Sequence, residues 1–213
     1  MTKSAKRRGY WIAFEGTDGC GKSTQARRLS EELGAVLTFE PGNSGVGRKI
    51  REILLHDGGT MDSRCEALLF AADRAEHMAS IVRPNLEAGR HVVSDRSVWS
   101  SVIYQGVGRG LGVEEVIAQN RWATQETFPD IVVYLRNEVD ETWKQLTEPD
   151  RIEAEGTTFM HGIEKGFHEQ AIQRGWIIIE RGPVDEVAER VKTLVRARLY
   201  DLQALPWTPE PSQ

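Results

Sequence analysis

The chain has 213 residues, of which 39% are hydrophobic and 28% charged, as expected of a globular protein that buries one core. Its formal net charge of −5 argues against a protein that binds nucleic acid through backbone phosphates, because such proteins are usually basic. The chain has two cysteines without metal-ligand spacing, so we expect a protein of the reducing cytoplasm. It has no apolar run of membrane-spanning length, so we expect it to bind neither membrane nor, given its charge, nucleic acid.

The two ends of the chain differ in composition from the rest. Lysine and arginine are concentrated in residues 1–9, which lack the apolar core of a signal peptide, and proline is frequent in residues 205–213. We expect both segments to be loose tails on a single domain of residues 10–204.

A phosphate-binding loop is the strongest pattern near the start of the chain. A predicted strand at residues 11–14 leads into Gly16-x-x-x-x-Gly21-Lys22-Ser23, and a predicted helix follows to residue 33. The glycines let backbone N–H groups point inward, and the helix start adds its positive dipole end. A plain glycine-rich turn is the alternative, but the full motif between a strand and a helix is far more specific. We therefore predict a nucleoside triphosphate site made of Gly16, Thr17, Asp18, Gly19, Cys20, Gly21, Lys22, Ser23 and Thr24.

Short apolar strands and amphipathic helices alternate along the rest of the chain. Further strands are predicted at 36–39, 91–94, 131–135 and 176–179. Further helices are predicted at 46–55, from 63 to beyond 77, and at 97–105, 113–127, 139–146 and 184–202. One more helix is predicted to follow residue 155 and to end at about residue 173. Ser63 and Glu66 have the spacing of a capping box at the start of one helix, and polar residues 147–155 are predicted to form a mobile loop. This alternation predicts a three-layer α/β fold with a parallel sheet, whose ligands bind at the carboxyl ends of the strands.

Asp95 and Arg96 follow the predicted strand at 91–94 and so belong to the same sheet edge as the phosphate-binding loop. A carboxylate there can hold Mg²⁺ together with the Ser23 hydroxyl, while Lys22 reaches the β- and γ-phosphates. The alternative for Asp95 is a cap on the next helix. Arg96 is better placed for an anion than for the core, since a buried arginine needs a partner.

The predicted helix that begins at residue 63 carries Phe70 and Arg74, which are four residues apart and share one face. Together they offer a ring to stack on a base and a guanidinium to bond its edge. Ordinary core packing is the alternative for Phe70 alone. His77 on the same helix is interpreted as a structural histidine rather than a catalytic base.

Several motifs in order resemble those of bacterial thymidylate kinases. They are F-E-G-T-D-G-C-G-K-S-T-Q, E-P-G, A-A-D-R-A-E-H, D-R-S-x-x-S-S-x-x-Y-Q-G-x-G-R-G-L, P-D-I-V-V-Y-L and D-R-I-E, and they extend over roughly residues 11–191. The resemblance implies a nucleoside monophosphate kinase fold with a five-stranded parallel sheet, usually a homodimer. It also implies transfer of the ATP γ-phosphate to dTMP with Mg²⁺.

The resemblance assigns roles to individual positions of this chain. Lys22, Arg96 and Arg151 would be catalytic, Arg151 from a lid at about 147–155 that covers ATP, and Ser23 and Asp95 would serve Mg²⁺. Phe70 would stack on thymine, Arg74 would bond its O4, Ser101 and Gln105 would face the base, and Tyr104 would crowd a ribose 2′-hydroxyl. Arg51 and Arg96 would hold the dTMP phosphate, Asp18 would contact the sugar and phosphate side, and Glu40 and Ser100 complete the substrate set.

Four departures from the family pattern leave the acceptor open. Phe39 stands where the family usually has the arginine of R-E-P-G, Ser97 replaces the tyrosine of D-R-Y, and Arg136 stands where an acidic residue is common. The lid has lost most of the basic residues upstream of D-R-I-E. A kinase for dUMP or a modified deoxypyrimidine monophosphate is therefore one alternative. A degenerate nucleotide-binding switch is another, although no N-K-x-D motif of GTPases is present.

Overall fold

The structure is a computed structural model that describes residues 7–57, 59–137 and 150–204. The predicted helix at 139–146 and the proline-rich tail lie outside the described residues. So do residues 1–6 of the basic tail and residues 147–149 of the predicted lid.

A five-stranded parallel sheet organises the described residues, as predicted. Its strands are β1 (Trp11–Glu15), β2 (Val36–Phe39), β3 (Val92–Asp95), β4 (Ile131–Arg136) and β5 (Ile177–Glu180), in the spatial order β2-β3-β1-β4-β5. β1 and β3 lie side by side, and Phe14 is in register with Asp95. The loop after β1 and the acidic residue that ends β3 are therefore neighbours at one edge of the sheet.

Helices cover both faces of the sheet. They are α1 (Lys22–Leu33), α2 (Gly45–Glu52), α3 (Ser63–His77), α4 (Arg83–Glu87), α5 (Val98–Ser101), α6 (Val113–Thr124), α7 (Thr157–Arg174) and α8 (Val184–Ala204). Three π-helical segments continue α2, α3 and α5, at Ile53–Asp57, Met78–Val82 and Val102–Gly108, and a 3-10 turn spans Glu153–Glu155. None of the described helices is long and apolar enough to cross a membrane.

Alternating residues of β4 show how the three layers form. Val133 and Leu135 point into a core shared with α1 and α8, while Val132 and Tyr134 point into the opposite core with Ile103 and Phe167 among its buried members. Because both faces are buried, the strand is apolar at nearly every position, which is the pattern of a central parallel strand.

Two local predictions about helix ends were wrong. Ser63 and Glu66 do not form a capping box, since the side chain of Asp62 caps α3 by accepting from Arg64 N at 2.9 Å and Cys65 N at 3.3 Å. Glu66 is instead buried and ion-paired elsewhere. The helix predicted at 113–127 ends at Thr124, because Gln125 takes a left-handed backbone conformation with φ 50° that terminates the helical hydrogen bonds.

Candidate active site

The phosphate-binding loop joins β1 to α1 in the conformation that its glycines require. Gly16, Gly19 and Gly21 all have positive φ, at 141°, 73° and 96°. A Cβ on Gly16 would lie 2.6 Å from the Leu135 carbonyl oxygen and 2.9 Å from Cys20 Sγ, so no larger residue fits there. The loop therefore curls as the motif predicted, with the N-terminus of α1 at its end.

Lys22 is buried at the start of α1 and is held by the loop that it serves. Its Nζ donates to the Thr17 carbonyl at 2.8 Å and lies 3.6 Å from Asp18 Oδ1. Although burial opposes ionisation of Asp18, the neighbouring Arg96 and Lys22 hold the pKa of that carboxyl well below its ordinary value. The Asp18 carboxylate therefore lies between two cations, Lys22 and Arg96.

Ser23 and Asp95 meet where Mg²⁺ was predicted. Ser23 Oγ donates to Asp95 Oδ2 at 2.5 Å, while Asp95 Oδ1 is buried without a hydrogen-bond partner among the described residues. A buried carboxylate oxygen with free lone pairs beside a hydroxyl suits a hard cation. The described residues contain no group of three or more His, Cys, Asp or Glu side chains that could hold a metal. Mg²⁺ at a nucleotide needs fewer protein ligands, because phosphates and water complete its shell.

Arg96 is held tightly beside the loop. Its backbone has φ 71°, which is uncommon for a residue other than glycine, and its N–H donates to the Phe14 carbonyl. Nη2 donates to Asp18 Oδ1 at 2.5 Å and Nη1 to Ser100 Oγ at 2.9 Å. Its guanidinium also lies over the Tyr104 ring at 5.3 Å. A residue whose unfavourable backbone conformation is held in place by several contacts is typical of a functional site.

Glu15 is a functional candidate that the sequence analysis missed. It ends β1 in full burial, where it accepts hydrogen bonds from Ser97 Oγ at 2.7 Å and Ser100 Oγ at 2.6 Å. Burial raises the pKa of Glu15 to about 7, although these hydroxyls and Arg96 oppose the shift. Ser97, one of the four departures from the family pattern, thus supplies one of the two hydroxyls that contact this carboxyl. The only sequence signal for Glu15 was an acidic residue directly before the loop.

A small cavity of about 90 Å³ brings together nine of the ten residues predicted to bind the acceptor substrate. They are Asp18, Glu40, Arg51, Phe70, Arg96, Ser100, Ser101, Tyr104 and Gln105. Tyr104 Oη is buried there without a hydrogen-bond partner among the described side chains and backbone groups. The volume is below the roughly 300 Å³ of typical ligand pockets, so a nucleotide would have to widen it.

A large cavity of about 640 Å³ lies over the phosphate-binding loop, with Lys22, Ser23 and Asp95 in its wall. It shares Asp18, Glu40, Arg51 and Arg96 with the small cavity. Gly16, Thr17 and Cys20, which were predicted to bind ATP, do not line it. Burial raises the pKa of the Cys20 thiol, so it stays protonated.

Arg74, the tenth predicted substrate residue, lies behind the small cavity. It donates to Glu40 Oε2 at 2.8 Å, to Ser101 Oγ at 3.1 Å and to the Ser97 carbonyl at 3.2 Å. His77 lies 2.9 Å from Glu40 Oε1, which agrees with a structural role for that histidine. Arg74 therefore does not line the small cavity in this structure. It holds Glu40 and Ser101, which do.

Arg151 is not brought to the phosphate-binding loop. Its Nε donates to the Leu54 carbonyl at 2.7 Å, and Nη2 lies 2.6 Å from Glu66 Oε2. Its neighbours Asp150 and Ile152 line the small cavity. The predicted lid arginine thus lies on the acceptor side of the site in this structure.

The two remaining departures lie in different places. Phe39 lines the large cavity with 42% of its surface exposed, so an apolar ring stands where the family has a cation. Arg27 of α1 lines the same cavity and was not singled out from the sequence. Arg136 lies at the end of β4, 3.2 Å from Glu164 and 3.3 Å from Glu180, in partly exposed ion pairs.

Comparison with known proteins gives one consistent result. The family model described as thymidylate kinase matches residues 14–191. A thymidylate kinase of Leifsonia xyli is 40% identical over 212 residues, covering 93% of this chain and all of the relative, and one of a Synechococcus strain is 38% identical, covering 91% and 98%. The crystal structure of thymidylate kinase from Ehrlichia chaffeensis superposes with a TM-score of 0.73 at 28% identity, covering 89% of this chain and 99% of that one.

Proposed function

This chain belongs to the thymidylate kinase family, whose members use ATP as phosphate donor, and we propose that it transfers the γ-phosphate of ATP to dTMP with Mg²⁺. The observation that carries the proposal is the junction between the two cavities. Asp18, Glu40, Arg51 and Arg96 line both, so a donor phosphate over the loop and an acceptor phosphate from the small cavity would meet there.

Phosphoryl transfer asks the protein mainly for positioning and for stabilisation of charge on the transferring group. The loop amides and Lys22 would hold the β- and γ-phosphates, and Arg51 and Arg96 at the junction would orient the acceptor phosphate in line. Phe70 would stack on the base and Tyr104 would lie against the sugar. When bound, Mg²⁺ would neutralise phosphate charge, and Ser23 and Asp95 are the residues that would hold it.

The resemblance of the motifs also supports a homodimer that works in the cytoplasm. Size-exclusion chromatography with light scattering tests the first part, with about twice the 24.0 kDa chain mass expected.

The test of the proposed function is ADP release with Mg²⁺-ATP and a panel of nucleoside monophosphates. We expect dTMP to be the best acceptor, dUMP to be weaker and purine nucleotides to be poor. A Lys22→Ala variant purified in parallel is the control for contaminating host kinases and should lose at least about 100-fold in kcat/KM. A purine nucleotide turned over faster than dTMP would refute the acceptor assignment, and ATP binding without turnover of any acceptor would favour a degenerate switch.

A further inference from the structure

Glu66 does not line the small cavity itself, but it is hydrogen-bonded to Gln105, which does line it and was predicted to face the base. Gln105 lies in the π-helical segment after α5, is 1% exposed and lines the cavity. Its amide nitrogen Nε2 lies 2.9 Å from Glu66 Oε1 and donates to it. A carboxylate can only accept, so Glu66 must take the nitrogen end of the amide. The oxygen end then has to point the other way.

The amide oxygen of Gln105 is available to a ligand. No hydrogen bond to Gln105 Oε1 occurs within the described part of the chain, and this atom is not among the buried polar atoms that lack a partner. Since Gln105 lines the small cavity, a ligand bound there is the group that can donate to this oxygen.

Glu66 is itself fixed and ionised. Arg109 donates to both of its oxygens, Nε to Oε1 at 3.2 Å and Nη2 to Oε2 at 3.1 Å, and Arg151 Nη2 lies 2.6 Å from Oε2. Burial opposes ionisation, but the hydrogen bonds from Arg109 and Gln105, together with the close contact of Arg151, hold the pKa of Glu66 below its ordinary value. A carboxyl that stays ionised carries no proton, so it cannot donate a hydrogen bond to the oxygen end of the Gln105 amide. The amide therefore keeps its orientation.

We propose that Glu66 determines base specificity by orienting the Gln105 amide, so that the cavity presents an acceptor oxygen to the ring nitrogen of a pyrimidine. Thymine and uracil carry a hydrogen on N3 and can donate to that oxygen. Cytosine has an unprotonated N3, which is itself an acceptor. It would face the amide oxygen with no hydrogen between the two, which is unfavourable. The inference rests on the proposed function, since it concerns the acceptor of that same reaction.

The exchange Glu66→Gln tests this with almost no change of shape. An amide at position 66 can accept or donate, so Gln105 is free to turn its nitrogen toward the cavity. We expect the ratio of kcat/KM for dUMP to that for dCMP to fall at least about tenfold. These two acceptors differ at N3, which Gln105 would contact, and at the neighbouring 4-position, where an amino group replaces the oxygen; Glu66→Gln leaves Arg74 and its contacts unchanged. A general loosening of the site would lower both values together and leave their ratio unchanged.

Glu164→Gln is the matched control, because it makes the same exchange at a carboxylate that is paired with an arginine, Arg136, and has no contact with the Gln105 amide. It should keep the wild-type ratio. Gln105→Met removes the amide itself and should also lower the ratio, and adding Glu66→Gln to that variant should change it no further.

Three outcomes would overturn the inference. One is a folded Glu66→Gln variant with the wild-type ratio, and another is an equal effect of Glu66→Gln in the Gln105→Met background. Should Glu66→Gln fail to fold, a wild-type ratio in Gln105→Met decides against the inference. Failure of the proposed function looks different, because wild-type protein would then turn over neither dTMP nor dUMP, and the inference would fall with it.

Discussion

Glu15 shows how one side chain links the site to stability. Its pKa in the folded protein is about 7 against 4.5 in the unfolded chain, so the folded state binds this proton more tightly. The associated stability is fully present below pH 4.5 and is lost as the pH rises through 7. A shift of this size corresponds to roughly 3 kcal/mol.

We therefore expect the melting temperature of wild-type protein to fall between pH 5 and pH 8 more steeply than that of Glu15→Gln, measured by circular dichroism. Asp73, whose pKa burial raises to about 6, titrates in both proteins, so the difference between the curves isolates Glu15. Parallel curves would show that the Glu15 carboxyl does not carry a raised pKa.

Packing between helices sets a second, element-scale constraint. α2 approaches α3 so closely at Gly47 that a Cβ there would lie 2.3 Å from Asp73 Oδ1 and 2.7 Å from Ser44 Oγ. Asp73 is not free to move away, because it accepts from Gly42 N at 2.9 Å and so fixes the loop that carries Glu40.

Gly47→Ala should accordingly destabilise the protein by about 1–3 kcal/mol in urea unfolding. Gly162→Ala in α7 is the control, since its Cβ would meet nothing within 4 Å and alanine is the better helix former. Equal unfolding midpoints for the two variants would contradict the close approach of α2 to α3.

The segment around Arg151 gives a prediction about the reaction itself. Charge on a transferring phosphoryl group is commonly met by an arginine worth about 10³ to 10⁵ in kcat. Asp18, Gly19 and Cys20 of the loop supply none, and Arg151 is the only arginine in residues 145–155. To act there, Arg151 would have to leave Glu66.

We expect Arg151→Ala to lower kcat at least about 100-fold with little change in dTMP affinity measured by calorimetry, and Arg151→Lys to restore only part of the rate. An unchanged kcat would show that the contact with Glu66 is its whole role. A raised KM for dTMP alone would assign it to the small cavity.

Elements that depend on local pattern were predictable from the sequence, and contacts between distant residues were not. The loop after β1 follows from its glycines, and the central strands follow from apolar runs. Glu15 escaped notice because its partners Ser97 and Ser100 lie 82 and 85 residues away. Glu66 was misassigned because its capping spacing to Ser63 was a local signal, whereas burial against Arg109 is a tertiary one.

Across the whole molecule, the shared wall of the two cavities predicts that one ligand can fill both. A compound that joins adenosine and thymidine through five phosphates should raise the melting temperature more than ADP and dTMP added together, because the second half binds without a separate loss of freedom. Differential scanning calorimetry measures this, with Lys22→Ala as the weakened control. Stabilisation no greater than that by ADP alone would mean that the cavities do not act as one site.

Under the proposed function, Asp18 has a consequence for how nucleotides would enter and leave the site. Its carboxylate lies 3.6 Å from Lys22 Nζ and 2.5 Å from Arg96 Nη2, so Lys22 and Arg96 already have an anion. A phosphate that reaches them must displace or share that carboxylate, and binding becomes an exchange of anions. The net gain is then smaller than the attraction of two bare cations would give. The same exchange would run backward at product release, when the Asp18 carboxylate would pair with Lys22 and Arg96 again.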